Sequence, residues 1–448
     1  MRDMSFLCVL LLVAAPAAAQ SPLPARVTLE EALTRAAANS HRLGELRARE
    51  LAAGTVLDQR RAADLPIVSA QAGYQRTNHV DEFGFLQNGE FQVLYPDAPD
   101  NWRARLDMQW PIYSGGRTKA LEQAAVAEQS AMGKDLESAR SDLRLEVTRA
   151  FWALVTATES VSVVEQSLKR IEAQLGDVRA QFDAGFLPPN DVLTVDSRVS
   201  QQRTLLTQAR NQRDGTRAEL ARLMGAPVDA SFEVDAALAD TNLTPPSPSA
   251  RQAPPLASAL PATTPSNLAR ADREALALRI DAAEARIEAA RAENRPSVAV
   301  VAGYDYARPN PKIFPRKDVW EDSWDLGINV TFTLWNGGRT AAQVAEARYQ
   351  AEAARERLAE ADSQIALDVR QRELDLGSAR SQVETASAAV RSATEARRVV
   401  AERFSAGVAT STDLLDAQVD QLQAELERTR ALANVRLSEA RLARALGN

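Results

Sequence analysis

The spacing of apolar residues along the chain changes between two periods, and the shorter period comes first in each half. Apolar residues alternate with polar residues or glycine over eleven positions, at Trp324, Leu326, Ile328, Val330, Phe332 and Leu334. Strict alternation of this length predicts a β-strand with one apolar face, long enough to span a membrane. A second alternating segment covers 102–110, and partner strands are predicted near 67–76 and 297–306. The chain therefore contains four predicted strands in two hairpins.

A helical pattern follows each strand pair. From Val147 to Phe182 the apolar residues recur at alternating steps of three and four, which is the seam of a coiled coil. A weaker copy of the seam runs from Val369 to Phe404. No proline interrupts the first helix, so Arg117–Phe182 is predicted as one helix about 100 Å long. Shorter return helices are predicted over 191–224 and 413–446.

The whole pattern occurs twice. The segment 102–225 recurs without a gap 222 residues later, and the strand before it recurs 230 residues later. The pairs are Trp102/Trp324, Gly115/Gly337, Gly116/Gly338, Arg117/Arg339, Phe182/Phe404, Ala184/Ala406, Gly185/Gly407, Asp191/Asp413, Gly225/Gly447, Pro66/Pro296 and Tyr74/Tyr304. We predict a first structural repeat over 20–225, a proline-rich linker over 226–266 and a second repeat over 267–448. Each repeat comprises a helix, a β-hairpin, a long helix and a return helix.

Composition excludes several classes of function. The apolar run Phe6–Ala15 followed by three alanines predicts a signal peptide over 1–19, and the only cysteine, Cys8, lies within it. Two histidines and one cysteine argue against metal sites and disulfides, and the net charge of −7 argues against nucleic-acid binding. The common catalytic motifs are missing from the sequence, so we expect no enzyme, no cofactor and no metal.

The predicted strands require partners from other chains. Four strands cannot close a membrane barrel, and open strand edges are not tolerated in lipid. The barrel must therefore be shared between chains, and five aromatic residues are expected at the membrane interfaces: Tyr74, Trp102, Trp110, Tyr304 and Trp324. The alternative is a soluble periplasmic structural coiled-coil protein that uses its hairpins for docking.

The helical turn of the second repeat carries the most specific pattern. Phe404-Ser405-Ala406-Gly407, followed by Asp413 and Asp416, resembles the turn of TolC-like outer-membrane efflux channels, as do the duplication and the Gly-Gly helix entry. The resemblance implies a mainly α protein with a membrane β-barrel: a homotrimer in outer-membrane lipid, with a twelve-stranded barrel and a periplasmic helical tunnel. It implies a passive exit duct of a tripartite efflux or type I secretion system. The implied partners are a periplasmic adaptor protein and an inner-membrane transporter of the RND or ABC type.

The resemblance also assigns an entrance. Asp413 and Asp416, with Asp191 in the first repeat, are expected to form the periplasmic constriction, while a helix N-cap is the alternative for Asp191 and Asp413. Some members latch the entrance with a tyrosine and an arginine where this chain has Phe404 and Ala409. A different or weaker latch is therefore expected.

Two sets of turns complete the predicted sites. The helical tips are expected to contact the adaptor through Ala184, Gly185, Phe186, Ala406, Gly407 and Val408, with Gly185 and Gly407 also forming left-handed C-caps. The glycine pairs that precede the long helices are expected to turn the chain from strand to helix, and a phosphate cradle is the alternative. These glycines are Gly115, Gly116, Gly337 and Gly338.

Overall fold

The computed structural model describes residues 24–236 and 270–447, so the predicted signal peptide and most of the predicted linker lie outside it. The helices in the described part are α1 (Leu29–Asn39), α2 (His41–Ala62), α3 (Arg117–Asp183), α4 (Pro189–Leu223), α5 (Ala271–Arg291), α6 (Arg339–Ser405) and α7 (Ser411–Ala445). The strands are β1 (Arg26–Val27), β2 (Ile67–Arg76), β3 (Phe83–Gln87), β4 (Glu90–Tyr95), β5 (Asp100–Tyr113), β6 (Glu233–Val234), β7 (Ser297–Arg308) and β8 (Glu321–Thr331). None of the described helices combines the length and apolar character needed to cross a membrane.

The long helices confirm the predicted coiled-coil pattern. Helices α3 and α6 each have 67 residues, and α3 starts at the predicted residue and ends one residue later than predicted. The return helices α4 and α7 each start two residues before the predicted position, at Pro189 and Ser411. Proline is well accommodated there, because the first helical N–H has no partner within the helix.

The predicted hairpins form one antiparallel sheet. Strand β2 pairs with β5 and β7 pairs with β8, as predicted, and the pairing of β5 with β7 joins the two hairpins. The strand order is β2-β5-β7-β8, so β2 and β8 are the edges. Register places Tyr74 opposite Trp102, and Tyr304 opposite both Leu106 and Trp324.

Two predictions about strands were wrong. Strand β8 covers Glu321–Thr331 rather than 324–334, because its partner β7 begins at Ser297, which pairs with Thr331. The residues after Thr331 therefore have no partner residues on β7 with which to form backbone hydrogen bonds. The sequence analysis also missed the hairpin β3–β4, although its turn, Asn88-Gly89, has the left-handed backbone typical of two-residue hairpin loops.

The chain divides into two compact units. Among the described residues, the first comprises 24–39, 147–236 and 382–434. Its core is the predicted seam of α3, where Val147, Leu154 and Val178 are almost fully buried and apolar residues of α4 and α7 pack against the seam. At the start of the predicted linker, β6 pairs in parallel with β1 and Phe232 is buried.

Among the described residues, the second unit comprises 40–146, 270–381 and 435–447, and it contains the four-stranded sheet. Ion pairs connect its helices. On α3, Lys134 lies 2.9 Å from Glu274 of α5, and Arg273 of α5 lies 2.6 Å from Asp362 of α6. Helix α5 therefore lies between α3 and α6 in this unit.

Candidate functional site

The sheet has one face that the protomer leaves uncovered. On β8 the side chains of Trp324, Leu326, Ile328 and Val330 are all exposed, while the residues between them are polar or glycine. Apolar side chains of this size are normally buried, so a contiguous exposed row indicates a surface that contacts lipid or another protein. The alternation predicted from the sequence is therefore present in the folded strand.

The five predicted interface aromatics all lie on this sheet. The Tyr74 and Trp102 rings are in contact, with centroids 4.4 Å apart, and Tyr304 lies opposite Trp324 in the ladder. At the other end of β5, Trp110 donates its indole N–H to the Asp64 carbonyl at 3.1 Å. Their position at a membrane interface stays a prediction.

The opposite face of the sheet carries a charge cluster that the sequence analysis missed. Asp305 of β7 has no exposed side-chain surface, and its carboxylate accepts from Arg103 Nε at 2.7 Å and from the Arg105 guanidinium. Lys312, in the loop after β7, places Nζ 3.0 Å from the same carboxylate. The clue was available, since all three strand residues fall on polar positions of the predicted alternation.

The strand-to-helix turns have the conformation that their glycines permit. Gly115, Gly116, Gly337 and Gly338 all have φ between 66° and 90°, in the left-handed region that favours glycine. The first turn is covered: Arg295 donates to the Gly115 carbonyl at 3.0 Å. The turning role agrees with this geometry, and the phosphate-cradle alternative has no structural support in the described residues.

The two helical tips end in the same hydrogen-bonded motif. Phe186 N–H donates to the Gln181 carbonyl at 2.9 Å, and Val408 N–H donates to the Arg403 carbonyl at 2.8 Å. With Gly185 and Gly407 in the left-handed conformation, both ends are Schellman motifs, which confirms the predicted C-caps. Ala184 and Ala406 are exposed, and so are the side chains after the glycines: Phe186 is 81% exposed and Val408 67%.

The aspartates predicted for the entrance lie in the first two turns of their helices. Asp413 is not the N-cap of α7, because Thr410 holds that position. Thr410 N–H and Oγ–H donate to Asp413 Oδ2 at 2.8 and 2.7 Å, and Asp413 N–H donates back to Thr410 Oγ1 at 3.1 Å. These two donors hold the pKa of Asp413 below its ordinary value of 3.8. Asp191 is likewise not a cap, since Pro188 precedes α4.

A groove beside α7 brings the acidic residues of the second tip together. Asp413 and Asp416 line it together with Asp420, which the sequence analysis overlooked although it lies one turn further along the same helix face. The groove encloses about 810 Å³, and Arg403 is the only basic side chain among the described residues that line it. Asp416 lies 3.9 Å from Arg198 of α4 and is largely exposed.

The residue at the position of the tyrosine latch has an apolar role. Phe404 packs against the buried core formed by Ile171, Val178 and Leu415. Ala409 contributes only its N–H, which donates to the Arg403 carbonyl at 3.2 Å. Neither side chain can form a polar latch, as expected.

Comparison with known proteins identifies the family. The model of the outer membrane efflux protein family matches residues 32–226 and 268–448, which is most of each predicted repeat. The chain belongs to this family. The efflux protein is 23% identical over 350 residues to the alkaline protease secretion protein AprF of Pseudomonas aeruginosa, covering 77% of this chain and 69% of AprF.

Solved structures share its fold. The outer membrane protein VceC of Vibrio cholerae is 19% identical, with a TM-score of 0.74 over 94% of this chain and 96% of VceC. The outer membrane channel CmeC of Campylobacter jejuni is 15% identical, with a TM-score of 0.75 over 94% of this chain and 85% of CmeC. The resemblance to TolC-like channels is confirmed, and the efflux protein is an outer-membrane exit duct that combines barrel strands with a periplasmic helical tunnel.

Proposed function

We propose that three copies of the efflux protein share one twelve-stranded barrel and form a passive conduit across the outer membrane. The observation that carries this proposal is the four-stranded sheet, which has an exposed apolar face and unpaired edges at β2 and β8. Unpaired backbone groups are too costly in lipid, so each edge needs a strand from another copy. Pairing β8 of one copy with β2 of the next closes the ring without any further element.

Exposed apolar residues on the helices support the same arrangement. Tyr349, Leu367 and Leu374 of α6 are exposed, and so are Leu51 and Val56 of α2. In the repeat α6 corresponds to α3, and α5 corresponds to α2. Since α3 is paired with α5 within one copy, we infer that α6 pairs with α2 of the next copy.

The helical tips are proposed as the contact for an adaptor. Exposed Phe186 and Val408 follow the Schellman glycines, where an apolar residue usually packs back on its own helix. Both side chains remain free for a partner, and the turns around Gly185 and Gly407 present them. We infer a periplasmic adaptor and an energised inner-membrane transporter, of the RND type in a tripartite efflux system or of the ABC type in a type I secretion system. The similarity to AprF, a protease secretion protein, favours testing polypeptide cargo alongside small molecules.

The entrance is proposed at the acidic groove of α7. Three copies bring together Asp413 and Asp416, with Asp191 nearby in the first repeat, and their carboxylates attract cations. Conduction through such an opening needs no catalytic residue. The proposed activity is therefore transport without chemical turnover.

Membrane fractionation followed by planar-bilayer recording tests this function. The purified efflux protein is expected to require detergent, to migrate as a trimer and to open conducting channels. Recovery of a soluble, monodisperse monomer without detergent would support the alternative of a periplasmic coiled-coil protein and overturn the conduit.

A further inference from the structure

A cavity lies at the end of the sheet that carries the loops following β2, β4 and β7. Residues of both faces line it, including Tyr74 and Trp102 of the apolar face. It encloses about 830 Å³, and its lining includes Gln71, Gln75, Asn101, Arg103, Arg105 and Arg316. None of the described residues that line it is acidic. A cavity with three guanidinium groups, several amides and no carboxylate is built to receive negative charge.

Carboxylates pair with both strand arginines of the lining: Asp305 with Arg103 and Arg105, and Asp107 with Arg105 at 2.6 Å. The pairing with Asp305 nevertheless leaves part of the Arg103 guanidinium accessible. Asp305 is fully buried and is not part of the lining, whereas the Arg103 side chain that it binds through Nε is half exposed. The buried carboxylate therefore fixes the arginine in place while donors of its guanidinium stay accessible from the cavity. Arginine in such a setting binds phosphate or carboxylate oxygens in a bidentate manner.

Arg316 brings the third guanidinium group to the cavity, from the loop after β7. The backbone N–H of Arg316 donates to the Leu94 carbonyl at 3.2 Å, and its guanidinium lies 5.4 Å from the centre of the Tyr95 ring. No ion pair to Arg316 occurs within residues 24–236 and 270–447. The aromatic contact positions the charge without neutralising it.

We propose that this cavity, the arginine cavity, binds a small soluble polyanion that carries phosphate or carboxylate groups. The proposal rests on the proposed function, because the polar face of the sheet meets water only inside a barrel. A lipid phosphate has the same chemistry, but Arg103 and Arg105 lie on the face opposite the exposed apolar row. The occupant is therefore a soluble anion that passes through the conduit or enters it from outside.

Calorimetric titration of the full chain in detergent with inorganic pyrophosphate at low ionic strength tests the site. We expect saturable binding that weakens at least tenfold in Arg316→Gln, since this arginine has no structural ion pair to lose. Lys317→Gln removes the same charge from the next residue, which does not line the cavity, and should change the affinity less than twofold. Arg103→Gln should weaken binding as well, and it also removes one of the three cations that pair with Asp305.

Absent saturation, or equal affinity in Arg316→Gln and Lys317→Gln, would overturn the site. In a second arm, short-chain phosphatidic acid should bind equally to the original protein and to Arg316→Gln; a loss in this variant would assign the cavity to a lipid. The same preparations should form trimers and conduct in bilayers whether or not Arg316 is changed. Failure of the original protein to do so would reject the conduit independently of pyrophosphate binding.

Discussion

The two strand-to-helix turns have the same sequence and backbone conformation but different surroundings. A Cβ atom added to Gly115 would lie 2.8 Å from Arg295 Cβ and 2.9 Å from the Ala292 carbonyl oxygen. A Cβ atom added to Gly337 would meet no atom of the described residues within 4 Å. The first turn is thus closed by the segment that leads into β7, and the second turn is open within the protomer.

This difference supports a position for the next copy in the proposed ring. The repeat offset of 230 residues places Ala62 and Leu65 at the positions of Ala292 and Arg295, in the segment that leads into β2. Leu65 is exposed, and β2 is an edge of the sheet. In the proposed ring we therefore expect Leu65 of the next copy to cover Gly337 as Arg295 covers Gly115.

The largest expected effect concerns the two faces of β8. Leu326→Arg places a charge on the lipid face at the middle of the observed strand, which costs about 2–4 kcal/mol. Trimer yield in isolated outer membranes should fall sharply. Asn329→Arg places the same charge on the polar face and should assemble normally, so similar yields for the two variants would contradict the assigned faces.

A second prediction tests the open turn directly. Gly337→Asn introduces a residue that also tolerates positive φ, but it adds a Cβ atom where Leu65 of the next copy is expected. Size-exclusion chromatography should show less trimer and more monomer. Gly89→Asn makes the same change at a φ of 88° in open space and should leave the trimer intact. Full assembly of the Gly337 variant would indicate that the second turn stays uncovered.

A third prediction concerns the acidic groove. The double variant Asp413→Asn and Asp416→Asn keeps the side-chain shapes and the capping acceptor but removes two charges per copy. Reversal potentials in planar bilayers should show reduced cation selectivity, and multivalent cations should block the current less. Asp229→Asn, an exposed aspartate that does not line the groove, is the control. Unchanged selectivity and block in the double variant would leave Asp413 as a capping residue alone.

The smallest expected effect is a change in the pH at which the channel loses its cation selectivity. Thr410 lowers the pKa of Asp413 through its N–H and then its hydroxyl, so the Asp413 charge is kept to a lower pH than usual and is lost as the pH falls through this lowered value. Thr410→Val removes the hydroxyl donor and should move the acid loss of cation selectivity upward, toward the ordinary pKa of 3.8. Thr410→Ser should behave like the original protein. If cation selectivity is lost at the same pH in Thr410→Val and in the original protein, Asp413 does not lie on the conducting path.

Much of the fold could be predicted because its two periods are long and uninterrupted. The seam from Val147 to Phe182 and the alternation around Leu326 each depend on side chains that repeat over many residues. Strand ends could not be predicted, since Thr331 ends β8 only because Ser297 begins its partner strand. The hairpin β3–β4 was missed because its strands are short.

The candidate sites were predictable only in part. Asp413 and Asp416 were assigned from a family pattern, but the capping role of Thr410 depends on where α7 begins. The cluster around Asp305 required the pairing of β5 with β7, two strands that lie 202 residues apart where Arg103 meets Asp305. The alternation puts these residues on the polar faces of their strands, but it does not tell which strands pair.

Cysteine crosslinking between the two edges of the sheet tests whether copies of the chain share one barrel. Cys8, the only cysteine, lies in the predicted signal peptide, so engineered pairs report without interference. Transferring the β5–β7 register through the repeat places Thr331 of one copy opposite Gln71 of the next. We expect the double variant Thr331→Cys and Gln71→Cys to form disulfide-linked dimers and trimers on a non-reducing gel, and no larger species. Moving the second cysteine to Ser69→Cys puts the pair beyond disulfide reach and should abolish the crosslinking. A matched pair that stays monomeric under oxidation would contradict a barrel shared between copies.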